Sequence, residues 1–386
     1  MKIIIKNCRI ISSDLDIENG FIEISDNIIS DVSDMGKFNI KEHRDKNIID
    51  GSGKIVFPGF IDIHTHGANN YDVTDKDPEA VREVAKIKLK EGVTTFCPTT
   101  LTLPADVLKR SCENIENYKK NTEYAKVAGV HLEGPFISSK MAGAQNPEYI
   151  LKPNIELVEE LNSITKVSIV SYAVELDGAV ELTNELVKIG IVSSCAHSAA
   201  TYEDFVKARK CGLKHITHFC NQITPLHHRE IGLVGAGFMD EIIKLELISD
   251  KIHICPDMIR LILKIRGVEN IFLITDSIRA SWLTDGEYDL GGLSVIVKDQ
   301  VARIKDTGSI AGSTLKYYNG LKNVYDITGL PLKEIIKCAT INQAEALGLT
   351  DAGEIKKGYK ADIVIANSSF IPEIVFVEGK KFELDK

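Results

Sequence analysis

The chain has 386 residues, of which 44% are hydrophobic and 26% are charged, as is ordinary for a soluble globular protein. Its formal net charge of −9 argues against nucleic acid or an anionic membrane as a main partner, although a local pocket can still take a small anion. The eight cysteines form no C-x-x-C pair, which is typical of reduced thiols. The sequence contains neither a signal-like segment nor a long apolar run, so we expect a cytoplasmic location.

Both ends of the chain have the pattern of short β-strands separated by turn residues. The predicted strands are Lys2–Ile11, Gly20–Ser25 and Ile28–Val32 at the start, then Ala361–Ile365 and Ile374–Val377 near the end. Their shared character predicts that the two ends pair into one small β-domain, a β-sandwich, beside a central body.

Between these ends, short apolar runs alternate with helical segments. Eight runs are candidate strands: Phe60–His66, Val93–Pro98, Val127–Glu133, Val167–Val174, Ile191–His197, His215–Phe219, Lys244–Asp250 and Ile271–Asp276. Helices are predicted between most of them, for example Pro78–Glu91 with Asp77 as its N-cap, Gly178–Ile189 and Tyr202–Lys210. Eight β/α repeats predict an α/β fold with a closed (β/α)₈ TIM-like barrel, while spacing alone leaves a doubly wound open sheet as the alternative.

These patterns predict the domain organisation. Residues 1–56 and 351–386 contribute the two parts of the small β-domain, and residues 57–350 form the barrel. Within the barrel segment, Glu287–Ile304 has the pattern of an inserted hairpin, and Lys333–Leu347 is predicted to be a late helix that leads back to the β-domain.

Polar residues that can bind a metal stand at the ends of five candidate strands. They are His64, His66, His131, Glu133, His197, His218 and Asp276. Because the carboxyl ends of barrel strands gather at one mouth, we expect these side chains to converge there. A single histidine at a strand end is more often a hydrogen-bonded structural residue, but the coincidence at five strand ends favours a metal centre.

The residue types indicate which chemistry this centre supports. His64 and His66 are two residues apart, so they lie on one face of a strand and can reach one ion. Imidazole combined with carboxylate suits Zn²⁺ or Fe²⁺ better than Ca²⁺ or Mg²⁺. A hydrolytic ion lowers the pKa of bound water to about 7. Asp276 stands where a general base can hold that water and later protonate a leaving amine.

Longer sequence strings around these positions carry a family resemblance. The strings are PGFIDIHTHG at 58–67, HLEGPF at 131–136, AHS at 196–198, THFCN at 217–221, PLHHRE at 225–230, TD at 275–276 and AGSTL at 311–315. In them the chain resembles the amidohydrolase superfamily and, more narrowly, the N-acetylglucosamine-6-phosphate deacetylases. The similarity spans nearly the whole chain. The HLEGP and HHRE strings are specific to this branch, whereas H-x-H alone indicates the superfamily.

The resemblance implies a metal-dependent enzyme with defined ligands. Glu133, His197 and His218 match the ligands of the main metal, with Glu133 in the place of the carboxylated lysine that many superfamily members use. His64 and His66 match a pair that supports a second ion in some members. The implied cofactor is therefore a divalent metal, Zn or Fe, with one or two ions per subunit.

The resemblance also implies a catalytic aspartate and a sugar phosphate site. Asp276 matches the aspartate, and Arg229 and His253 match residues that hold the phosphate. Arginine offers a planar fork for phosphate oxygens, so phosphate binding is favoured for Arg229 over the alternative, a structural ion pair with the neighbouring Glu230. Further matched substrate contacts are Ala144, Gln145, Asn221, Gln222, Ile310, Ala311 and Gly312. Family members are often homodimers in which a neighbouring subunit helps to close the phosphate pocket, so a homodimer is expected.

Several positions depart from the family pattern, and they surround the sugar site rather than the metal ligands. Lys251 stands where the family commonly has the glycine of Asp-Gly-x-His, and Asn221-Gln222-Ile223 replaces Asn-Ala-Met. Some members carry a histidine where Gln145 stands, and the loop after Asp276 lacks a glycine that is often found there. We expect these departures to affect which hexosamine phosphate the protein prefers.

Motifs and resemblance together predict hydrolysis of the N-acetyl group of N-acetylglucosamine 6-phosphate, in amino-sugar catabolism. The nearest alternative is a deacetylase of N-acetylgalactosamine 6-phosphate. A cyclic-amide hydrolase or deaminase on the same barrel would have no use for the phosphate-binding residues. A non-catalytic scaffold would be expected to have lost ligands that this chain retains.

Overall fold

All eight predicted barrel strands occur in the structure, a computed structural model that describes residues 2–39 and 47–384. They are Phe60–Thr65, Val93–Thr100, Val130–Glu133, Val167–Tyr172, Val192–Cys195, His215–Ile216, Lys244–Ile248 and Ile271–Ile274. Each strand pairs in parallel with the next one in this order. Backbone hydrogen bonds of 2.9 Å, from Asp276 N to His64 O and from His66 N to Ser277 O, join the last strand's end to the first. The barrel prediction is confirmed, and the open sheet is excluded.

An α-helix follows each barrel strand, and the apolar side chains of these helices join the main buried core around the barrel. The helices are Ala80–Lys90, Ala105–Lys120, Ile155–Ile164, Ala179–Lys188, Tyr202–Lys210, Gly232–Met239, Pro256–Arg266 and Tyr317–Thr328. Within the ranges that the structure describes, no helix combines the length and apolarity needed to cross a membrane.

Two predicted helices differ from the observed ones by more than one residue at an end. The first barrel helix begins at Ala80 rather than Pro78, because Asp77 accepts the backbone N–H of Glu79 (3.0 Å) in a turn that precedes the helix. The late helix is interrupted: Leu332–Ile335, the 3₁₀ turn Ile336–Ala339 and Ile341–Leu347 follow one another. The interruption lies at Thr340, whose φ of −143° and ψ of −87° are not helical.

Strands from both chain ends share one eight-stranded sheet outside the barrel. They are Lys2–Ile11, Asp16–Ser25, Ile28–Asp34, Asn47–Asp50, Ile55–Pro58, Ile363–Ala366, Pro372–Val377 and Lys380–Glu383. The two ends meet where Ile55–Pro58 pairs antiparallel with Ile363–Ala366. The predicted pairing of the ends is confirmed, and this sheet has a buried core of its own. The domain boundaries stay predictions, and residues 1, 40–46 and 385–386 of the two end segments lie outside the described residues.

The segment predicted as an inserted hairpin is a three-stranded antiparallel sheet. Its strands are Gly286–Leu290, Leu293–Lys298 and Val301–Ile304. The remaining strands are short: Gly67–Ala68 pairs with Tyr71–Asp72, and Lys126–Val127 lies beside the second barrel strand.

Phe57 offers a test of the junction between the barrel and the end sheet. Its side chain is fully buried, and its ring centroid lies 5.9 Å from that of Phe60 and 5.4 Å from that of Phe370. Phe57→Ala should lower the free energy of unfolding by about 3–5 kcal/mol, because it removes apolar contacts and leaves a cavity. Denaturant unfolding measures the change. Ile242→Ala, at a side chain that is 69% exposed, should cost less than about 0.5 kcal/mol, and equal effects would contradict the packing described.

Candidate active site

Three ligand atoms from three barrel strands meet at the mouth of the barrel. Glu133 ends the third strand, while His197 and His218 each stand two residues beyond the ends of the fifth and sixth strands. Nε2 of His218 lies 2.9 Å and Nε2 of His197 lies 3.3 Å from Glu133 Oε1, and the two nitrogens are 3.2 Å apart. All three residues are buried. The structure therefore brings together the residues predicted to hold the main metal.

The two histidines of the first strand border the same carboxylate. Nε2 of His64 and Nε2 of His66 are 3.4 Å apart. They lie 3.5 Å from Glu133 Oε1 and 3.4 Å from Glu133 Oε2, respectively. Asp276 Oδ1 lies 3.2 Å from His66 Nε2 and 3.6 Å from His64 Nε2. Glu133 is thus shared between two groups of potential ligands.

The second ring nitrogen of each of these histidines faces an acceptor. The acceptors of Nδ1 are Met141 O for His197 (2.8 Å), Asn221 O for His218 (3.2 Å), Thr99 O for His66 (3.0 Å) and Glu246 Oε2 for His64 (3.0 Å). A carbonyl oxygen can only accept, so Nδ1 carries the proton in the rings that face carbonyls. Their Nε2 lone pairs are consequently directed into the cluster, as in metal-binding histidines whose other nitrogen is hydrogen-bonded.

This donor set fits a divalent cation. Ligand atoms about 2.1 Å from a tetrahedral ion lie about 3.4 Å from one another, which is close to the separations observed in both groups. The facing Nε2 atoms of His197 and His218, 3.2 Å apart, would repel each other as two lone pairs unless positive charge lies between them. Imidazole nitrogens together with a carboxylate suit Zn²⁺ or Fe²⁺.

The electrostatics of the cluster agree with this assignment. Burial lowers the pKa of His66, but Asp276 and Glu133 outweigh burial and raise it to about 9. At His218, burial likewise lowers the pKa, but the hydrogen bond and the negative charge of Glu133 outweigh burial and raise the pKa to about 9. The surrounding imidazoles hold the pKa of Glu133 well below its usual range, although burial acts in the opposite direction. The buried carboxylates therefore attract positive charge, and a bound metal would displace these protons.

Unusual backbone conformations occur where the strands end. His197, His218 and Asp276 have φ values of 43°, 30° and 50°, in the left-handed region that residues other than glycine rarely adopt. These conformations turn the chain out of the sheet at the residues that carry the functional side chains, so the strands are shorter than predicted. Each costs on the order of 1–3 kcal/mol, and such strain is typical of functional sites.

The expectation that His131 reaches the mouth is wrong. Its Nδ1 faces Ile63 O at 2.8 Å and its Nε2 faces Ser171 Oγ at 2.6 Å, so both nitrogens are used within the barrel. Burial lowers its pKa to about 4. His131 precedes Glu133 by two residues on the same strand, which places it one layer deeper, with its ring centroid 4.7 Å from that of His64.

A cavity of about 280 Å³ opens beside the metal-binding side chains. Predicted substrate contacts that line it are Ala144, Gln145, Asn221, Gln222, His253, Ile310 and Gly312. Ala311, between the last two, is fully buried behind the wall. Leu101, Leu290 and Ser309 also line the cavity and were not predicted, because apolar or small residues carry no chemical signature in a sequence.

Gln145 connects the cavity wall to the metal cluster. Its Nε2 donates to Glu133 Oε2, and its Oε1 accepts the backbone N–H of Thr102 at 2.7 Å. These two hydrogen bonds fix the orientation of the amide. Glutamine at this position therefore supports the carboxylate that both ligand groups share.

His253 is oriented by the acid of its own turn. Its Nδ1 lies 2.7 Å from Asp250 Oδ2, while Asp250 Oδ1 accepts the backbone N–H groups of Ile252 and His253 at 2.8 Å each. Lys251 has a φ of 69°, which glycine adopts at lower cost. The geometry explains why glycine suits this position and shows that the chain keeps the turn with lysine.

Arg229 lies apart from the cavity. Its side chain is exposed, with Nη1 2.7 Å from His228 Nε2. Glu230 accepts the backbone N–H groups of Gly232 (3.2 Å) and Tyr202 (3.4 Å) rather than pairing with Arg229. The ion-pair interpretation of Arg229 is therefore wrong, and its role at the phosphate stays a prediction.

Glu246 is a site residue that sequence reasoning missed. It is fully buried on the seventh strand, and its Oε2 lies 3.0 Å from His64 Nδ1 and 3.4 Å from the backbone nitrogen of His218. A signal was present, because an acid within the apolar run Leu245–Ile248 is unusual for a strand buried on both faces.

Known proteins share this architecture. The model of the amidohydrolase family matches residues 55–382 of the chain. The chain belongs to the amidohydrolase family. It is 37% identical over 328 residues to the N-acetylglucosamine-6-phosphate deacetylase of Lysinibacillus sphaericus, which covers 84% of each chain. Within the family, the chain is thus similar to a protein named N-acetylglucosamine-6-phosphate deacetylase, the group whose motifs it resembles.

Solved structures agree with this placement over the whole fold. The N-acetylglucosamine-6-phosphate deacetylase of Thermotoga maritima is 35% identical, with a TM-score of 0.88 over 99% of this chain and 100% of that chain. A mutant of the Mycobacterium smegmatis enzyme, in complex with N-acetyl-D-glucosamine-6-phosphate, is 26% identical, with a TM-score of 0.91 over 99% and 98% of the two chains.

Glu133 borders both ligand groups, so its substitution tests the metal centre. Glu133→Gln removes the shared negative charge and should reduce the bound metal of protein purified with Zn²⁺ by roughly 10-fold or more. Elemental analysis by mass spectrometry measures the content. Glu181→Gln, on the outer face of the helix Ala179–Lys188, should retain the wild-type content. Full occupancy in Glu133→Gln would show that the metal binds elsewhere.

Proposed function

We propose that this protein is a metal-dependent N-acetylglucosamine-6-phosphate deacetylase that releases glucosamine 6-phosphate and acetate in amino-sugar catabolism. The observation that carries the proposal is the convergence of Glu133, His197, His218 and Asp276 beside one cavity. Membership of the family supports the reaction class. The names of the similar proteins support the substrate.

Glu133, His197 and His218 are proposed to hold the main metal ion, and His64 and His66 a second one. Zn²⁺ or Fe²⁺ is the proposed ion because of the imidazole and carboxylate donors. When bound, such an ion supplies a Lewis acid for the acetyl carbonyl and lowers the pKa of water to about 7. Occupancy of the second position would compete with the Gln145 amide for Glu133 Oε2, so one or two ions per subunit are proposed.

Asp276 is proposed to act first as general base and then as general acid. Burial raises its pKa, but His64 and His66 outweigh burial and lower it, so Asp276 is present as a carboxylate that can accept a proton. It accepts a proton from water while the water oxygen attacks the acetyl carbon. It then delivers this proton to the sugar nitrogen as the C–N bond breaks, which leaves acetate and a free amine.

The cavity walls are proposed to hold the sugar phosphate. The amide groups of Asn221 and Gln222 can hydrogen-bond to sugar hydroxyls. His253 lines the cavity with Nδ1 held by Asp250, and in its protonated form its Nε2 can donate to the phosphate. Leu101 and Leu290 provide an apolar wall for the acetyl methyl group or a sugar face. A small number of polar groups on an apolar wall is typical of a site for a small ligand.

We also propose a homodimer located in the cytoplasm, with Arg229 directed to the phosphate site of the neighbouring subunit. Arg229 does not line the cavity of its own subunit, and Leu226, three residues earlier in the same loop, is 54% exposed. The proposal is that this exposed loop, which carries Arg229, forms the subunit contact.

A substrate panel tests the proposed activity. Metal-reconstituted protein is incubated with N-acetylglucosamine 6-phosphate, the same sugar without phosphate and N-acetylgalactosamine 6-phosphate, and acetate release is measured. The first substrate should give the highest kcat/KM, at least about 100-fold above the sugar without phosphate, because that analogue leaves polar groups of the site unpaired. Preference for the galactose epimer, or no acetate from any substrate, would contradict the proposal.

Asp276→Asn tests the acid and base role. The variant keeps the size of the side chain but cannot take a proton, so kcat should fall by about 10²–10⁴-fold. The main metal should stay bound, since Asp276 lies outside the group of Glu133, His197 and His218. Asp257→Asn, at a side chain that is 92% exposed, is the control with wild-type kcat. Turnover that survives in Asp276→Asn would refute the assigned role.

Arg229→Ala tests the phosphate contact and the dimer together. We expect kcat/KM for the phosphorylated substrate to fall by about 10-fold or more, because a charge-assisted hydrogen bond is lost, with no change for the sugar without phosphate. Arg260→Ala, 53% exposed on the helix Pro256–Arg266, serves as the control. Light scattering establishes the oligomeric state under assay conditions, and a monomer with the full Arg229 effect would rule out the contact across subunits.

A further inference from the structure

A buried charge network lies behind the strand ends, and the chemistry described above does not use it. Lys88, on the first barrel helix, is fully buried. Its Nζ lies 3.2 Å from Asp62 Oδ2, 3.2 Å from Glu91 Oε2 and 2.9 Å from Thr275 Oγ1. A fully buried lysine is rare unless it is paired, and removal of one partner leaves an uncompensated charge. Asp62, Lys88, Glu91 and Thr275 therefore form one unit, the Lys88 network.

Asp62 connects this network to the first and the last barrel strand, which meet at the seam where the barrel closes. Its Oδ2 accepts the hydroxyl of Thr275 at 2.6 Å, and its Oδ1 lies 3.3 Å from the backbone nitrogens of both Thr275 and His64. Asp62 stands two residues before His64 on the first strand, and Thr275 immediately precedes Asp276. The Asp62 carboxylate thus links Thr275, which precedes the proposed general base, to the strand that carries His64 and His66.

Glu91 extends the network to the segments that follow Asp276. Its Oε1 accepts the indole N–H of Trp282 at 2.7 Å, and its Oε2 accepts the backbone N–H of Tyr317 at 3.0 Å. The indole ring also lies 3.9 Å from Nζ of Lys316. The loop after Asp276 and the start of the last barrel helix are therefore held by the same buried charges.

We propose that Thr275 and Asp62 are a positioning pair that fixes the carboxylate of Asp276, an inference that rests on the proposed function. Neither residue lines the cavity, so each acts through Asp276. The φ of 50° at Asp276 is strained, and such a conformation persists only where the surroundings overdetermine it. Asp62 faces both the N–H and the O–H of Thr275, which restrains the peptide that leads into Asp276.

Proton transfer tolerates little displacement of the general base. A general base must lie within hydrogen-bond reach of the proton that it accepts, and a misplacement of about 1 Å can cost 100-fold in rate. Loss of the Thr275 hydroxyl removes the bond to Asp62 Oδ2 and the acceptor for Lys88. Asp276 can then relax from its strained conformation, while the main metal ligands on the other strands keep their hydrogen bonds.

Thr275→Val tests the pair, because valine has the shape of threonine without its hydroxyl. We expect kcat for N-acetylglucosamine 6-phosphate to fall roughly 10- to 100-fold, with KM within about twofold of wild type and metal content unchanged. Thr275→Ser restores the hydroxyl and should return kcat to within about threefold of wild type. A purely structural role would lower the stability of the protein without lowering the kcat of the folded enzyme at an unchanged KM.

Thr183→Val is the matched control. Thr183 is also fully buried, and its Oγ1 donates to Ala179 O at 2.7 Å and bonds with the hydroxyl of Tyr172, away from the mouth. This variant should lower the unfolding temperature and leave kcat at the wild-type value. Wild-type kcat in Thr275→Val, with lowered stability as in Thr183→Val, would overturn the inference.

Asp62→Asn provides a second variant if Thr275→Val does not fold. The asparagine can keep Oδ1 as an acceptor for the two backbone N–H groups. Its amide nitrogen can accept neither the Thr275 hydroxyl nor a hydrogen bond from Lys88, so the network is broken at Oδ2 and the same loss of kcat is expected. Unchanged kcat would overturn the inference. Wild-type protein without any acetate release would overturn the proposed function and this inference together, whereas normal wild-type turnover with unaffected variants would overturn this inference alone.

Discussion

The site depends on the negative charge of Glu133, buried at the mouth of the barrel among imidazole nitrogens. A buried carboxylate without a positive partner costs several kcal/mol, so this arrangement is stable only with protons or a cation beside it. The Nδ1 hydrogen bonds of His66, His197 and His218 to backbone carbonyls direct the Nε2 lone pairs toward Glu133. Protons satisfy the charge, as the raised pKa values show, but a divalent ion satisfies both the carboxylate and the lone pairs.

The barrel makes this concentration of charge possible, because residues far apart in sequence are fixed on strands that cannot move independently. The seam between the first and last strands matters most, since it places His64 and His66 beside Asp276. Backbone hydrogen bonds and the Lys88 network both hold this seam. The cavity wall is built differently, from loops and from the inserted sheet that supplies Leu290. The metal-binding cluster therefore rests mainly on barrel strands and the cavity wall mainly on loops, and Gln145 connects the two.

The sequence predicted which polar side chains gather at the mouth of the barrel, because apolar runs are followed by histidines and acids that have no structural reason to recur there. The sequence did not predict how deep a side chain lies in the barrel, or whether a residue on a distant loop reaches the cavity. His131 and Glu133 share one face of a strand, and a period of two residues does not tell which layer each occupies. The break at Thr340 has no glycine or proline to mark it, and Lys88 and Glu91 look like an ordinary surface pair three residues apart on a helix. Arg229 belongs to a matching motif, yet the fold of one subunit does not bring it to the cavity.

Anomalous diffraction from crystals of the protein grown with Zn²⁺, recorded at the zinc absorption edge, is the direct test for a metal ion bound by Glu133, His197 and His218. The expected result is a peak about 2.0–2.2 Å from the Glu133 carboxylate and from Nε2 of both His197 and His218. A fully folded protein with no peak among these three residues, or with zinc bound through Nδ1 of either histidine, would contradict the account.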